Sequence, residues 1–196
     1  MRQIIYILSF VFVQSICFGQ TDLKEAIKQF EIGNLEKSKT IVDQSFVKHK
    51  LDLTFNHWYT KAKLYSQFDD NICEESSITN LAVAVNCVEN MYGYIIKKKD
   101  KKKANELTKA LSDKLIYLAK SYYQVNPNVA LNIFQLEMVR NEMLEDKNSE
   151  IHTETALNIA YQLKSECEKN SDSSLFCFND AKMLYQYVLR DNPNNW

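Results

Sequence analysis

An all-α fold of antiparallel helical hairpins is what this sequence predicts, and three observations carry the prediction. From residue 21 onward apolar residues recur three and four apart in one segment after another, the spacing that lays them on one face of a helix. No segment sustains the alternation of apolar and polar residues that a half-buried strand requires. The chain also carries only three Gly and two Pro, whereas sheets with tight hairpins place these residues at many turns.

The elements follow in order. Leu23, Ala26, Ile27 and Phe30 form the first stripe, and Leu35, Ser38, Val42 and Ser45 the second. Phe55, Trp58, Ala62 and Tyr65 form the third; Ile78, Leu81, Ala82, Val85, Val88 and Tyr92 form the fourth. Leu107, Leu111, Leu115, Leu118 and Tyr122 make a long fifth helix, followed by Ala130, Ile133 and Phe134 in a sixth. Ala156, Ile159, Ala160, Leu163 and Cys167 mark the seventh, and Ala181, Leu184, Tyr185 and Val188 the last. Turn residues fall between the stripes, at Gly33-Asn34, Asp69-Asp70-Asn71, Asn126-Pro127, Asn148-Ser149 and Asn170-Ser171-Asp172. Asn126 before Pro127 reads as a helix start, because Asn caps free N–H groups and Pro lacks an N–H where none is needed. The pattern therefore predicts about eight helices paired as hairpins.

Residues 1–19 read as a cleavable signal peptide, and residues 20–196 as the helical domain. Arg2 supplies a positive start, Ile4 to Val13 an apolar stretch broken only by Ser9, and Gln14 to Gly19 a more polar end with small residues at Cys17 and Gly19. Cleavage is expected after Gly19 or Gln20. The apolar stretch is shorter than the roughly 20 residues a membrane-spanning helix needs. Ile16 and Gln14 do not fit the small and aliphatic residues that precede a lipid-modified Cys. The expectation is an exported chain, periplasmic or extracellular, with no transmembrane span after cleavage.

Consecutive hairpins raise the question of a repeat. Ala181-Lys-Met-Leu-Tyr185-Gln-Tyr-Val188-Leu-Arg-Asp-Asn-Pro193-Asn-Asn195 resembles the second helix and closing turn of a tetratricopeptide repeat, with Val188 where the family usually has Ala. Gly33-Asn-Leu35-Glu-Lys-Ser38-Lys-Thr-Ile-Val42-Asp-Gln-Ser45 is similar to the turn and second helix of the same repeat, with Asp22 to Ile32 as its first helix. Trp58, Ala62 and Tyr65 resemble the first helix of a second unit, and Ala130 with Phe134 the second helix of a third. Small residues at these places let paired helices approach closely. The long helices around Ser77–Lys97 and Lys103–Val125 depart from the family, since no full repeat fits there without an insertion. The resemblance implies a short α-solenoid with a groove lined by the first helix of each hairpin. On that reading Tyr59, Lys63 and Ser66 face the groove in one unit, and Leu23, Ile27 and Phe30 in the first. These residues are not the Lys/Asn set with which some family members clamp a C-terminal carboxylate, so that ligand is not expected.

The remaining residues exclude several chemistries. Lys+Arg number 24 and Asp+Glu 25, so there is no basic excess for nucleic acid. The Gly residues stand alone, which removes any phosphate-cradling loop. His49, His57 and His152 sit in no HExxH pattern and lack a Cys at zinc spacing, so no metal or cofactor is expected. His57, beside Trp58 and Tyr59, reads as a surface residue at a helix start. The acid pairs Asp69-Asp70 and Glu74-Glu75 read as a solvated helix start. The run Lys97-Lys-Lys-Asp100-Lys-Lys-Lys103 reads as a soluble cap on the negative end of a helix, with contact to lipid head groups or an acidic partner as the alternative. Cys73, Cys87, Cys167 and Cys177 remain after removal of Cys17 with the leader, an even number in an exported chain. Three pairings are open; proximity favours Cys73–Cys87 and Cys167–Cys177, against buried thiols at Cys87 and Cys167. The functional expectation is a non-enzymatic scaffold that binds a protein or peptide. The alternatives are a structural subunit of an envelope assembly, stacking through solenoid ends left uncapped after Asn195, and an envelope hydrolase.

Overall fold

The computed structural model describes residues 21–68, 75–141, 149–169 and 174–191, with side chains given for 21–68, 78–138, 150–169 and 178–190. Among these residues the only regular secondary structure is helical. A first helix, α1, covers 21–31. It is followed by α2 (Leu35–Lys48), α3 (Phe55–Tyr65), α4 (Glu75–Tyr92), α5 (Lys98–Tyr122), α6 (Pro127–Asn141), α7 (Ser149–Lys169) and α8 (Ser174–Asp191). Adjacent helices pack in pairs, as the hairpin reading requires: α2 on α3, α6 on α7 and α7 on α8. No described helix is long and apolar enough to cross a membrane. The leader at 1–20 and the turns at Asp69-Asp70-Asn71, Asn148 and Asn170-Ser171-Asp172 lie outside the described residues, as do Cys73, Glu74 and the repeat exit from Pro193 to Asn195.

Two turns form as their residues dictate. Gly33 ends α1 with φ of 79°, a left-handed conformation that costs a side chain ~1–2 kcal/mol and Gly nothing. Its N–H donates to the Phe30 carbonyl at 2.9 Å, and the Asn34 N–H to the Gln29 carbonyl at 2.8 Å, which satisfies two carbonyls at the helix end. At the other turn α6 opens on Pro127, and the Asn126 Oδ1 accepts the Val129 N–H at 3.2 Å.

The chain divides into two compact units. The first comprises Met1–Ile72 with Thr79–Leu107, and the second Cys73–Ile78 with Thr108–Trp196. In the first, Leu23 and Ala26 of α1 meet Val42 of α2 and Leu64 of α3, with Phe30, Ile41 and Phe46 packed around them. Ser38 is fully buried, and its hydroxyl donates to the Ala26 carbonyl at 2.6 Å, which ties α2 to α1 where both side chains are small. On the side of α2 that faces α3, Lys61 Nζ lies 2.9 Å from Asp43 Oδ1, 4.5 Å over the Phe46 ring and 5.3 Å over the Tyr65 ring. The Tyr65 hydroxyl donates to Asp43 Oδ2 at 2.6 Å; burial and that bond both push its pKa upward.

In the second unit the expected stripes are buried: Leu111, Leu115 and Leu118 on α5, Ala130, Ile133 and Phe134 on α6, Ala156, Ile159, Ala160 and Leu163 on α7, and Ala181, Leu184 and Val188 on α8. The Phe134 ring meets Tyr187 edge-on at 5.9 Å and His152 at 6.5 Å. Within this apolar core stands a polar cluster that the stripes do not contain. Glu137, 1% exposed, accepts the Ser112 hydroxyl at 2.8 Å on Oε1, and His152 Nε2 lies 2.8 Å from the same oxygen.

Candidate binding face

The groove residues expected on α1 and α3 divide in the structure. Leu23 is core and presents nothing to a partner, because the α1 stripe is wide enough for one edge to face α2. Ser66 is also buried; its hydroxyl donates back to the Lys63 carbonyl at 2.8 Å and serves the end of α3. Ile27 is 41% exposed, Phe30 and Tyr59 are half-buried, and Lys63 is exposed. The reduced set therefore comprises Ile27, Phe30, Tyr59 and Lys63.

These residues join the alternate helices of the first unit. Lys63 Nζ of α3 lies 5.8 Å over the Phe30 ring of α1. One turn earlier on α3, Tyr59 stacks on Phe55 at 5.7 Å, and Lys103 Nζ of α5 lies 5.7 Å over the Tyr59 ring. An aromatic face is electron-rich and attracts a cation held above it. Burial raises the Tyr59 pKa, and the Glu106 carboxylate adds to the rise. The result is a band of ring faces and ammonium groups running from α1 through α3 to α5. Lys103 is absent from the sequence-based set; its helix departs from the repeat pattern, so spacing alone gave no register there.

Other expectations change in the structure. His57 is 5% exposed, not a surface residue. The Thr54 N–H donates to His57 Nδ1 at 3.2 Å while the Thr54 side chain accepts the His57 backbone N–H, the reciprocal arrangement in which Glu or Gln usually stands, and Thr54 Oγ1 lies 2.9 Å from the same ring nitrogen. The spacing Thr54-Phe-Asn-His57 carried that signal. The lysine run does not cap a negative helix end: α4 stops at Tyr92, and the run opens α5, at the positive end of its dipole. Cys87 is a buried free thiol whose pKa is pushed up to about 12, chiefly by desolvation. Cys167 is buried on α7, and no disulfide is found among the described residues; Cys73 and the Cys177 side chain lie outside them.

The polar cluster of the second unit lacks the geometry of an activated nucleophile. The Ser112 hydroxyl and the His152 ring both point at Glu137, so the imidazole does not take the serine proton, and all three are buried. Among the described residues no group of three or more His, Cys, Asp or Glu is arranged to hold a metal ion. No family model, curated protein or solved structure matches the chain.

Proposed function

We propose that this protein is an exported, non-enzymatic scaffold of tetratricopeptide type that holds an extended segment of a protein partner. The observation that carries the reading is the band across α1, α3 and α5, with Phe30, Lys63, Tyr59 and Lys103 in register. Alternate helices side by side expose a continuous strip, and ring faces with adjacent ammonium groups bind a segment that mixes apolar and acidic side chains. Half-buried aromatics already held by their neighbours lose little freedom on binding.

The test is capture from the native envelope. A photo-crosslinking residue at Lys63 should trap one partner. Tyr59→Ala with Lys63→Glu should abolish its capture while leaving the melting temperature within a few degrees. Capture that survives both changes would refute the assignment of the face. Export is tested separately by N-terminal sequencing, which should find the mature chain beginning at Gln20 or Thr21.

A further inference from the structure

The lysine run is costly where it stands. Lys97 occupies the cap position of α5: its carbonyl accepts the Asp100 N–H at 2.9 Å and the Lys101 N–H at 3.1 Å. A lysine side chain has no acceptor for the free N–H groups at a helix start, and its charge opposes the positive end of the dipole. Lys98 with Lys102 and Lys99 with Lys103 are like-charge pairs one turn apart, which destabilise a helix further. Acidic compensation is thin. Asp100 lies in the first turn, and Lys102 reaches Glu106 at 3.8 Å. Among the described residues Lys97, Lys98 and Lys99 have no ion-pair partner, and all three are exposed.

The turn that precedes them is apolar. Ile96 is 90% exposed and Tyr94 is 40% exposed, with the Tyr94 ring 6.2 Å from that of Trp58. A bare isoleucine at a turn tip, backed by three uncompensated ammonium groups, has the layout of an interfacial anchor. The apolar tip enters the boundary of head group and acyl chain, and the cations meet the phosphates. An acidic peptide satisfies the lysines but offers nothing to Ile96. We propose that the turn between α4 and α5 docks the protein on a bilayer surface bearing anionic phospholipid, through Ile96 and Lys97 to Lys99. This goes beyond the scaffold reading and does not depend on it.

Co-sedimentation of the full mature chain with phosphatidylglycerol–phosphatidylcholine vesicles tests it. The protein should pellet with these vesicles at low ionic strength, be released as salt is raised, and ignore vesicles of phosphatidylcholine alone. Lys97→Glu, Lys98→Glu and Lys99→Glu together should cut the affinity by about a hundredfold or more. Reversal of Lys24, Lys37 and Lys50, exposed elsewhere in the unit, should cut it far less for the same change in net charge. Ile96→Asp should weaken binding and Ile96→Trp strengthen it. Failure to fold is read independently: acids at the start of α5 suit its dipole, so the triple variant should melt no lower than the parent. Equal binding to both kinds of vesicle, or binding unaffected by the triple reversal, would overturn the proposal. Binding of polyglutamate in place of the anionic vesicles would overturn it in favour of an acidic protein.

Discussion

Glu137 provides the sharpest test of how the second unit is held together. It is 1% exposed and receives two donors on one oxygen, the Ser112 hydroxyl from α5 and the His152 ring from α7, each at 2.8 Å. Glu137→Ala removes the acceptor and leaves both donors in an apolar surrounding. Each buried donor without a partner costs about 1–3 kcal/mol, and the lost side chain leaves a void as well. The sum is about 3–5 kcal/mol, the range for breaking a buried pair by removing one member. For a chain of this size that lowers the melting temperature by about 6–20 °C. The apolar replacement Ser112→Ala, Glu137→Leu, His152→Leu should recover most of the loss, because it removes the donors together with the acceptor. Thermal melts by circular dichroism compare the three proteins. A Glu137→Ala shift of only a degree or two would show that water reaches the cluster. A triple variant no better than the single one would show that the cost lies in packing and not in unsatisfied donors.

Three other predictions rest on single positions. Ala181 is buried and Lys182 beside it is exposed, so Ala181→Leu should cost ~1–3 kcal/mol by overpacking while Lys182→Leu changes the melting temperature little; equal effects would contradict the buried face. Burial, and secondarily the neighbouring His49, hold the His57 pKa below its ordinary 6.5, with Asp22 opposing. The unfolded chain therefore binds a proton that the fold resists, so stability is full above that ordinary value and falls as pH drops below it. His57→Gln retains a capping acceptor and should flatten this fall; an unchanged profile in denaturant melts would assign the pH dependence elsewhere. Non-reducing peptide mapping of protein taken from an oxidising compartment should find Cys167 joined to Cys177, with free thiols at both positions as the refuting result.

Much of the fold was legible because helix packing has a period. Val42, Ala62, Leu81, Leu115, Ile159 and Leu184 are all on expected stripes and all buried. Turn chemistry placed Gly33 and the start of α6 equally well. The polar core was not legible. Ser112, Glu137, His152 and Thr155 stand on buried faces, but hydropathy assigns such residues to the outside unless a partner is known. The partners are on another helix or a turn away: Ser112 and His152 meet at Glu137, and Thr155 bonds the Ile151 carbonyl. The α1 stripe failed for a different reason. A stripe fixes which side of a helix is apolar, not which of its edges another helix covers, so Leu23 and Ile27 looked alike although the first is core and the second is exposed. The direction of the lysine run was ambiguous for a similar reason. Seven residues of charge fit either helix end, and only the boundary at Lys98 decides between them.

That boundary also makes the two proposals separable on one helix. Lys99 and Lys103 lie one turn apart on α5, yet they stand in different surroundings. Lys103 is half-buried with its ammonium group over the Tyr59 ring, while Lys99 is exposed and without an ion-pair partner among the described residues. A cation over a half-buried ring contributes through that contact, whereas an open cation contributes through the field of a charged surface. Lys103→Ala should therefore weaken capture of the protein partner and leave vesicle binding nearly unchanged. Reversal of Lys97, Lys98 and Lys99 should do the opposite. Parallel losses in both assays from either change would mean that the band and the turn form a single site, and that the division drawn at Lys103 is wrong.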